Sequence, residues 1–514
     1  MYFVNIMKGN NSMKKLLSII LLCTMLVPAL ASCADGNEPA SADTTAANAE
    51  TTTAAEAVET TTADPNDRTA AVSTLDESLD FGGVSINVGY VNHERYKTDI
   101  IGADDGDIIN TAVYDRNVAV EEELNVKLKP VLMADSTRDA ADKFTTVVLA
   151  GDDMFDVNSG HQSYVSKHLF EGLFQNMADD EYITWDSPWW ADDYMKEFEI
   201  GDDKRYFLFG DIALMMLKSA GATYFNKNLY DKYLGKVDDF YADIMDGKWT
   251  LDMLYEYSQK SYADLNGDGT VNEGDLYGVA VTVVKSVEHL QYDAGIRTTQ
   301  RNKDGIPEII LNNEKTITFA EKMYNLYYNN NSAMVGLSDA DLDGKFRPMF
   351  KDDKLMFFPS WFYTAEYLRD MDSDFGIIPY PKLDEEQEEY MTLVHNGSTL
   401  FSVPVTITTE KLEIIGAVLE SMAFNSYKTV TPAYFEVALK SKYTRDDVSS
   451  QLLDVMYHSM YTDFGYCYSS NLNGIGLLRN LAANKTADFS SWYAGKEAGA
   501  LAALDKLIAL YNEN

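Results

Sequence analysis

Apolar and polar residues recur along the chain with two different periods, which predict strands and helices in alternation. Val84, Ile86 and Val88 alternate with small or polar residues directly after a glycine pair, a pattern typical of a strand. Asn110 to Leu124 places apolar residues on one helical face, and a second strand-like segment, Val126 to Leu132, follows it.

The same two periods return in the second half of the chain. Leu355 to Phe358 and Phe375 to Ile378 are short apolar segments that predict buried strands. Amphipathic helices are predicted where apolar residues repeat at three-four spacing, namely at Leu412, Ile415, Leu419 and Met422, and at Leu501, Leu504, Ile508 and Tyr511. Strands that alternate with helices predict an α/β body.

The N-terminal segment has the pattern of an export signal. Lys14 and Lys15 precede an apolar run from Leu16 to Leu30, about 15 residues, which is shorter than the roughly 20 residues needed to span a bilayer. The small residues that follow and Cys33 resemble the bacterial lipobox, which implies cleavage after residue 32 and a lipid on the cysteine. The alternative is an ordinary signal peptide in which this cysteine is incidental.

Residues 33–80 are rich in Thr, Ala, Asp and Glu and carry almost no large apolar side chains. Such a segment cannot bury enough surface to offset its chain entropy, so we expect a disordered stalk. It holds eleven carboxylates and one cation, Arg68, and repulsion between the carboxylates extends it. The sequence therefore predicts an extracellular protein that is anchored to the outer face of the cell membrane by a lipid.

Composition narrows the choice of partners. The formal net charge is −39, which argues against nucleic acid, because phosphate binding needs clustered Lys and Arg. Hydrophobic residues make up 46% of the chain, enough for a packed core. If Cys23 leaves with the signal and Cys33 carries the lipid, only Cys467 remains, and the mature body has no intrachain disulfide.

A set of short motifs runs through the body in a fixed order. They are Leu79 to Gly83, Gly106 to Asn110 with Ala112 to Asn117, Leu149 to Asp152 with Phe155 to Val157, Pro188 to Trp190, Phe225 to Lys227, Gly247 to Leu251 and Asp374 to Lys382. Together they resemble the extracellular solute-binding lipoproteins of ABC importers, specifically a sugar-type group from Firmicutes.

The resemblance implies a type II periplasmic-binding-protein-like fold, in which a hinge joins two α/β lobes and the ligand binds between them. We expect the chain to cross between lobes near Gly210-Asp211 and to return near Asp374. The expected boundaries are 81–210 plus 375–424 for lobe 1, and 211–374 plus 425–514 for lobe 2. The implied partners are a small solute and the transmembrane subunits of an ABC permease.

Aromatic residues, 12% of the chain, favour a sugar ligand, because the C–H faces of a sugar ring pack on aromatic rings. Ligands of open α/β sheets bind at the carboxyl ends of strands. On that basis the candidate ligand-binding residues are Trp361, Tyr363, Asn158, Ser159, His161, Asp211 and Trp190. The alternatives are core packing for the tryptophans, a polar turn for residues 158–161 and a helix cap for Asp211.

One segment matches the pattern of a calcium-binding loop. Oxygen ligands fall at the expected positions in Asp264, Asn266, Asp268, Thr270 (through its carbonyl), Asn272 and Asp275, with Gly269 at the sharp turn. The last ligand is Asp in place of the usual Glu, which resembles dockerin loops. The sequence predicts a structural Ca²⁺, and the alternative is a metal-free Asn/Asp/Gly turn.

These features predict a binding protein that captures an oligosaccharide and delivers it to an ABC permease. The sequence has no Gly-x-Ser-x-Gly elbow, no His-Glu-x-x-His helix and no phosphate-binding Gly-rich loop, so we expect no enzymatic activity. Two alternatives stay open, a glycan-degrading enzyme with a dockerin-like calcium loop and a surface receptor or adhesin of the same fold.

Overall fold

The computed structural model describes residues 68–201, 203–444 and 446–513. These residues belong to one compact unit, Asp64–Asn514. The predicted signal peptide, Cys33 and the stalk up to residue 67 lie outside the described residues. Among the residues that are described, no helix has both the length and the apolar character needed to cross a membrane.

Strands of the described residues form two larger sheets and two small ones. They are β1 (Val84–Val91), β2 (Val126–Ala134), β3 (Val157–His161), β4 (Gly221–Asn226), β5 (Tyr277–Thr282), β6 (Thr299–Arg301), β7 (Pro307–Ile309), β8 (Ala333–Gly336), β9 (Leu355–Trp361), β10 (Phe375–Ile378), β11 (Thr392–Leu393), β12 (Thr399–Ser402) and β13 (Met460–Tyr461).

Helices connect and cover these sheets. They are α1 (Ile108–Leu124), α2 (Thr137–Ala150), α3 (Gln162–Val165), α4 (Asp192–Lys196), α5 (Leu214–Lys218), α6 (Lys227–Tyr233), α7 (Val237–Met245), α8 (Leu251–Gln259), α9 (Lys285–Asp293), α10 (Glu314–Tyr328), α11 (Arg347–Lys351), α12 (Thr364–Leu368), α13 (Thr409–Asn425), α14 (Asp447–His458), α15 (Phe464–Cys467), α16 (Arg479–Ala483), α17 (Phe489–Ala494) and α18 (Glu497–Glu513). Two π-helical segments, Ser426–Val430 and Ala433–Tyr443, continue α13.

The first sheet has the order β12-β3-β1-β2. Its β1 pairs in parallel with β2 and β3, and β12 runs antiparallel to β3. Alternation along β1 buries Ile86 and Val88, as the sequence predicts. Asp107 caps the following helix α1 by accepting hydrogen bonds from two amides of its first turn, which fixes where the helix starts.

The second sheet has the order β10-β4-β9-β5-β8. Its β5 pairs in parallel with β8 and β9, whereas β4 is antiparallel to both β9 and β10. The strands β4, β5, β9 and β10 are buried along their whole length, which explains why their sequences are nearly continuous apolar runs. The predicted strands are confirmed as β9 and β10, and the predicted helices as α13 and α18. Helix α18 buries one face, whereas α13 is buried on all sides from Ile415 to Asn425 and is therefore not amphipathic there.

Connections between the two sheets run beside one another. Leu208 bridges to Phe401 of the first sheet, and the chain then enters β4 of the second, so the first crossing includes Gly210-Asp211. The return differs from the expectation near Asp374. Because β10 hydrogen-bonds to β4, it belongs to the second sheet, and the chain returns only between β10 and β12.

The described start of the chain packs against the body. Arg68 forms an ion pair with Asp211 at 2.8 Å, and the Thr74 hydroxyl donates to Glu420 Oε1 at 2.7 Å. Leu75 and Leu79 pack against the core. Residues 68–80, which the sequence assigns to the stalk, are therefore part of the folded body, because a few polar anchors and two leucines hold them there.

Candidate ligand-binding cleft

A cavity of about 490 Å³ lies between the two sheets, a volume within the usual range for small-molecule sites. His161 at the end of β3 and Trp361 at the end of β9 both line it. Lys285, in the first turn of the helix after β5, and His395, on the returning segment, contribute further lining. The cavity thus lies at the carboxyl ends of strands from both sheets, where α/β folds bind ligands.

Aromatic rings line the cavity in two groups, which we call the first wall, beside the end of β3, and the second wall, at the end of β9. On the first wall, the ring of His161 lies 5.6 Å from that of Tyr96 and 4.5 Å from that of Tyr164, and all three residues are half-buried. On the second wall, the ring of Trp361 lies 5.1 Å from that of Tyr363. Paired aromatic walls of this kind can hold the apolar faces of a flat, ring-shaped ligand.

Polar contacts fix the orientation of Trp361. Its indole N–H donates to His289 Nε2 at 2.6 Å, and Lys285 Nζ lies 4.1 Å from the ring centroid. The side chain is buried, so its ring is held in one position by the surrounding contacts. A rigid platform loses little entropy when a ligand binds against it.

Burial and nearby charged groups together set the protonation of the two cavity histidines. Burial lowers the pKa of His161 to about 3, and the neighbouring His395 and Lys285 contribute to the shift. Burial, followed by the charges of Lys285, His289, Arg479 and Arg95, lowers the pKa of His395 well below its usual value. Both imidazoles are therefore neutral at physiological pH and can both donate and accept hydrogen bonds.

A buried carboxylate, Glu288, anchors the far side of the cavity. It accepts a hydrogen bond from the Tyr466 hydroxyl at 2.9 Å and binds Arg479 Nη1 at 3.1 Å. Burial raises the pKa of Glu288, and the charge of Arg479 opposes that shift. The pairing leaves Glu288 occupied by protein partners.

Three of the seven predicted ligand-binding residues, His161, Trp361 and Tyr363, line the cavity. Asn158 and Ser159 do not, because both lie buried inside β3, and Asn158 Nδ2 donates to the Ser402 hydroxyl across the strand pair at 3.3 Å. The Asn158 side chain therefore serves the pairing of the first sheet.

Asp211 and Trp190 also lie away from the cavity, for a different reason. The largely buried side chain of Asp211 forms an ion pair with Arg68. The Trp190 indole donates to Glu420 Oε2 at 2.7 Å in the core of the first lobe. The polar group of each side chain is already bound to another residue of the protein and is not free to bind a ligand.

Sequence reasoning missed Tyr96, Tyr164 and all the cavity cations. Tyr164 lies three residues after the end of β3, and Lys285 three residues after the end of β5. The strand-end rule that selects His161 would have found both if it had been applied a few residues further. Tyr96 lies in a short irregular segment after β1 and has no comparable signal.

The predicted calcium loop folds around its own oxygen atoms. Asn272 Nδ2 lies 2.8 Å from Asp268 Oδ2 and 2.9 Å from the Thr270 carbonyl oxygen, and Asn266 Nδ2 lies 3.0 Å from the same Asp268 oxygen. Two amides of the loop donate to Asp264. These donors point at oxygen atoms that the calcium pattern assigns to the metal.

Asp275 closes the loop and is fully buried. Its Oδ2 accepts from the Asn272 amide and the Tyr262 hydroxyl, both at 3.0 Å, whereas the buried Oδ1 has no hydrogen-bond partner among the described residues. In the part of the chain that the structure describes, no three His, Cys, Asp or Glu side chains form a metal site by themselves. A cation here would also need the Asn side-chain oxygens and the Thr270 carbonyl oxygen as ligands. All six residues predicted to bind the metal belong to this loop.

Comparison with known proteins identifies the fold. No protein-family model matches the chain, and no curated protein matches it. The galacto-N-biose/lacto-N-biose I-binding protein of an ABC transporter from Bifidobacterium longum, in complex with lacto-N-biose, matches with a TM-score of 0.55 at 13% identity, over 83% of this chain and 98% of that chain.

Two further solved structures match to a similar extent. A cyclo/maltodextrin-binding protein complexed with maltotetraose has a TM-score of 0.51 at 15% identity, over 84% of this chain and 96% of that chain. A maltose-bound protein from T. maritima has a TM-score of 0.51 at 14% identity, over 83% of this chain and 100% of that chain. At such identities the likeness establishes the fold, which is the two-lobed, type II periplasmic-binding-protein-like fold, with lobes joined by a hinge.

Proposed function

We propose that the protein is a cell-surface substrate-binding lipoprotein that captures an oligosaccharide between its lobes and delivers it to an ABC permease. The observation that carries the proposal is that aromatic residues from both lobes, beside the ends of β3 and β9, line one cavity. The sugar complexes of proteins with this fold support it. In this proposal the lipid on Cys33 and the Thr-rich segment tether the body to the membrane.

Capture would work by closure. A ligand that contacts both walls stabilises the arrangement in which the lobes approach, by its greater affinity for that arrangement. The crossing segments around Gly210 and between β10 and β12 are the places where backbone rotation can occur without disturbing either sheet. The permease then recognises the closed form.

The experiment that tests this function is a calorimetric titration with a panel of neutral and acidic oligosaccharides, amino acids and short peptides. We expect binding to at least one class of saccharide, with the saccharide recovered intact. If only peptides bound, the ligand class would be peptides and not saccharides. Release of shortened saccharides would identify a glycan-degrading enzyme.

We also propose that residues 264–275 bind one structural Ca²⁺. The buried Asp275 oxygen without a partner supports this, because an uncompensated buried carboxylate oxygen is costly and a cation would satisfy it. The two Asn amides would turn their oxygen atoms inward, which reverses the hydrogen bonds described above.

Chelation of calcium is expected to lower the melting temperature. A metal at 100 times its Kd stabilises the folded state by about 2.7 kcal/mol, and a chelator removes that contribution. The double variant Asp264→Ala, Asp268→Ala should melt at the same temperature with and without chelator. The matched control is Asp304→Ala, in another exposed Asn/Asp/Gly turn, which should keep the sensitivity. If wild-type protein melted identically in calcium and in chelator, the loop would be a metal-free turn.

A further inference from the structure

The cavity is cationic although the chain is strongly acidic. The whole chain has 42 Lys and Arg against 81 Asp and Glu. The cavity lining reverses this ratio, with two carboxylates, Glu288 and Asp339, against five cations, which are Arg95, Arg138, Lys167, Lys285 and Arg479. Such a local reversal of charge concentrates anions in a cleft.

The protein's own carboxylates only partly neutralise these cations. Arg479 binds Glu288 at 3.1 Å, and Arg95 binds Asp343 at 2.6 Å. In the ranges that the structure describes, Arg138 and Lys167 have no carboxylate within ion-pair distance, and Arg138 lies over the Tyr164 ring at 4.9 Å. These two cations are available to a ligand on the first wall.

Lys285 is the most deeply placed of the five. Its nearest carboxylate oxygen, on Asp339, is 3.7 Å away, and its Nζ lies against the face of Trp361. Lys285 begins the nine-residue helix α9, and Arg138 is the second residue of α2. Cations are disfavoured at the positive end of a helix, so neither position is explained by local stability.

The pKa values of the cavity histidines reflect the same cations. After burial, the charges of Lys285, Arg479 and Arg95 are among the causes that lower the pKa of His395. Lys285 also lowers the pKa of His161. Groups on both sides of the cavity therefore experience a positive potential.

We propose that the saccharide captured in this cleft is acidic and carries a carboxylate or sulfate group that binds beside Lys285, with Arg138 and Lys167 on the first wall. The inference rests on the proposed function and narrows it to anionic glycans. The anion adds a second negative charge beside Lys285, whose ion pair with Asp339 is loose at 3.7 Å, while the aromatic walls hold the sugar rings.

The test compares saccharides that differ only in charge. Oligogalacturonides are titrated by calorimetry beside their methyl esters, and sulfated galacto-oligosaccharides beside the unsulfated sugars, so that the two pairs distinguish carboxylate from sulfate. We expect the acidic member of one pair to bind roughly tenfold more tightly or better at low salt, with the advantage decreasing as salt is added.

Two variants locate the effect. Lys285→Gln should remove most of the preference for the acidic member. The double variant Arg138→Gln, Lys167→Gln should reduce the preference for the acidic member. Because neither residue lies in the buried part of the cavity, a reduced preference in this variant is not explained by a folding defect. Lys303→Gln is the control, because Lys303 is exposed and outside the cavity.

The outcomes separate the two proposals. Equal or tighter binding of the neutral member of each pair would overturn the acidic-ligand inference and leave saccharide capture standing. A preference that survived both variants would overturn the assignment to these cations. If no saccharide, acidic or neutral, bound at all, the proposed function itself would be wrong.

Discussion

Replacement of Trp361 by alanine is expected to weaken saccharide binding about 100-fold. The variant removes the largest ring of the second wall and the surface against which Lys285 Nζ is held at 4.1 Å. Central aromatic residues of binding sites commonly contribute 2 kcal/mol or more, and about 2.8 kcal/mol corresponds to a factor of 100. Calorimetric titration of both proteins with the same glycan measures the change.

Two further variants make this result interpretable. Trp361→Phe keeps an aromatic face but loses the hydrogen bond to His289, so its affinity should fall between those of the other two proteins. Trp492→Ala removes a tryptophan from α17, away from the cavity, and should bind normally. Wild-type affinity in folded Trp361→Ala would show that the ligand does not contact this wall.

Glu420→Ala is expected to lower the free energy of unfolding by about 3–5 kcal/mol. The buried Glu420 carboxylate accepts hydrogen bonds from the indoles of Trp189 at 3.0 Å and Trp190 at 2.7 Å, and from the Thr74 hydroxyl and the Thr184 amide. Alanine leaves the two buried indole donors without their acceptor, and each unsatisfied buried group costs about 1–3 kcal/mol, whereas the other two donors are only partly buried. Chemical denaturation measures the loss, and Glu420→Gln, which retains one acceptor oxygen, should lose less.

The difference in free energy of unfolding between wild type and Glu420→Gln, measured as a function of pH, isolates the ionisation of Glu420. Burial raises its pKa above the ordinary value of 4.5, against the hydrogen bonds that oppose the shift. The folded state therefore binds the proton more tightly than the unfolded state, so this contribution to stability is complete below pH 4.5 and is lost as the pH rises through the folded pKa. Relative to Glu420→Gln, the wild type should lose stability as the pH rises above 4.5 and through the folded pKa, and a pH-independent difference would contradict the raised pKa.

Local features of the fold follow from short-range chemistry that the sequence shows. The alternation in β1 and the apolar spacing in α1 and α13 each involve residues within a few positions of one another, so these elements are confirmed as one strand and two helices. The place of β10 is different. Its apolar residues predict a buried strand, but only its pairing with β4, some 150 residues earlier, decides which sheet it joins.

The site was predictable where a residue's role depends on its strand. His161 and Trp361 lie at strand ends and line the cavity. Asp211 and Trp190 lie outside the cavity and bind Arg68 and Glu420, which are more than 100 residues away in the chain. No local pattern reveals that a polar group is already satisfied. The cationic lining was hidden for a related reason, since it is assembled from isolated residues on several elements.

Small-angle X-ray scattering with and without ligand tests the central claim most directly. The protein is measured in calcium-containing buffer, first alone and then saturated with the tightest-binding glycan from the titrations. Closure of two lobes on a shared ligand predicts a smaller radius of gyration in the saturated sample. An unchanged radius of gyration at proven saturation would contradict capture by closure.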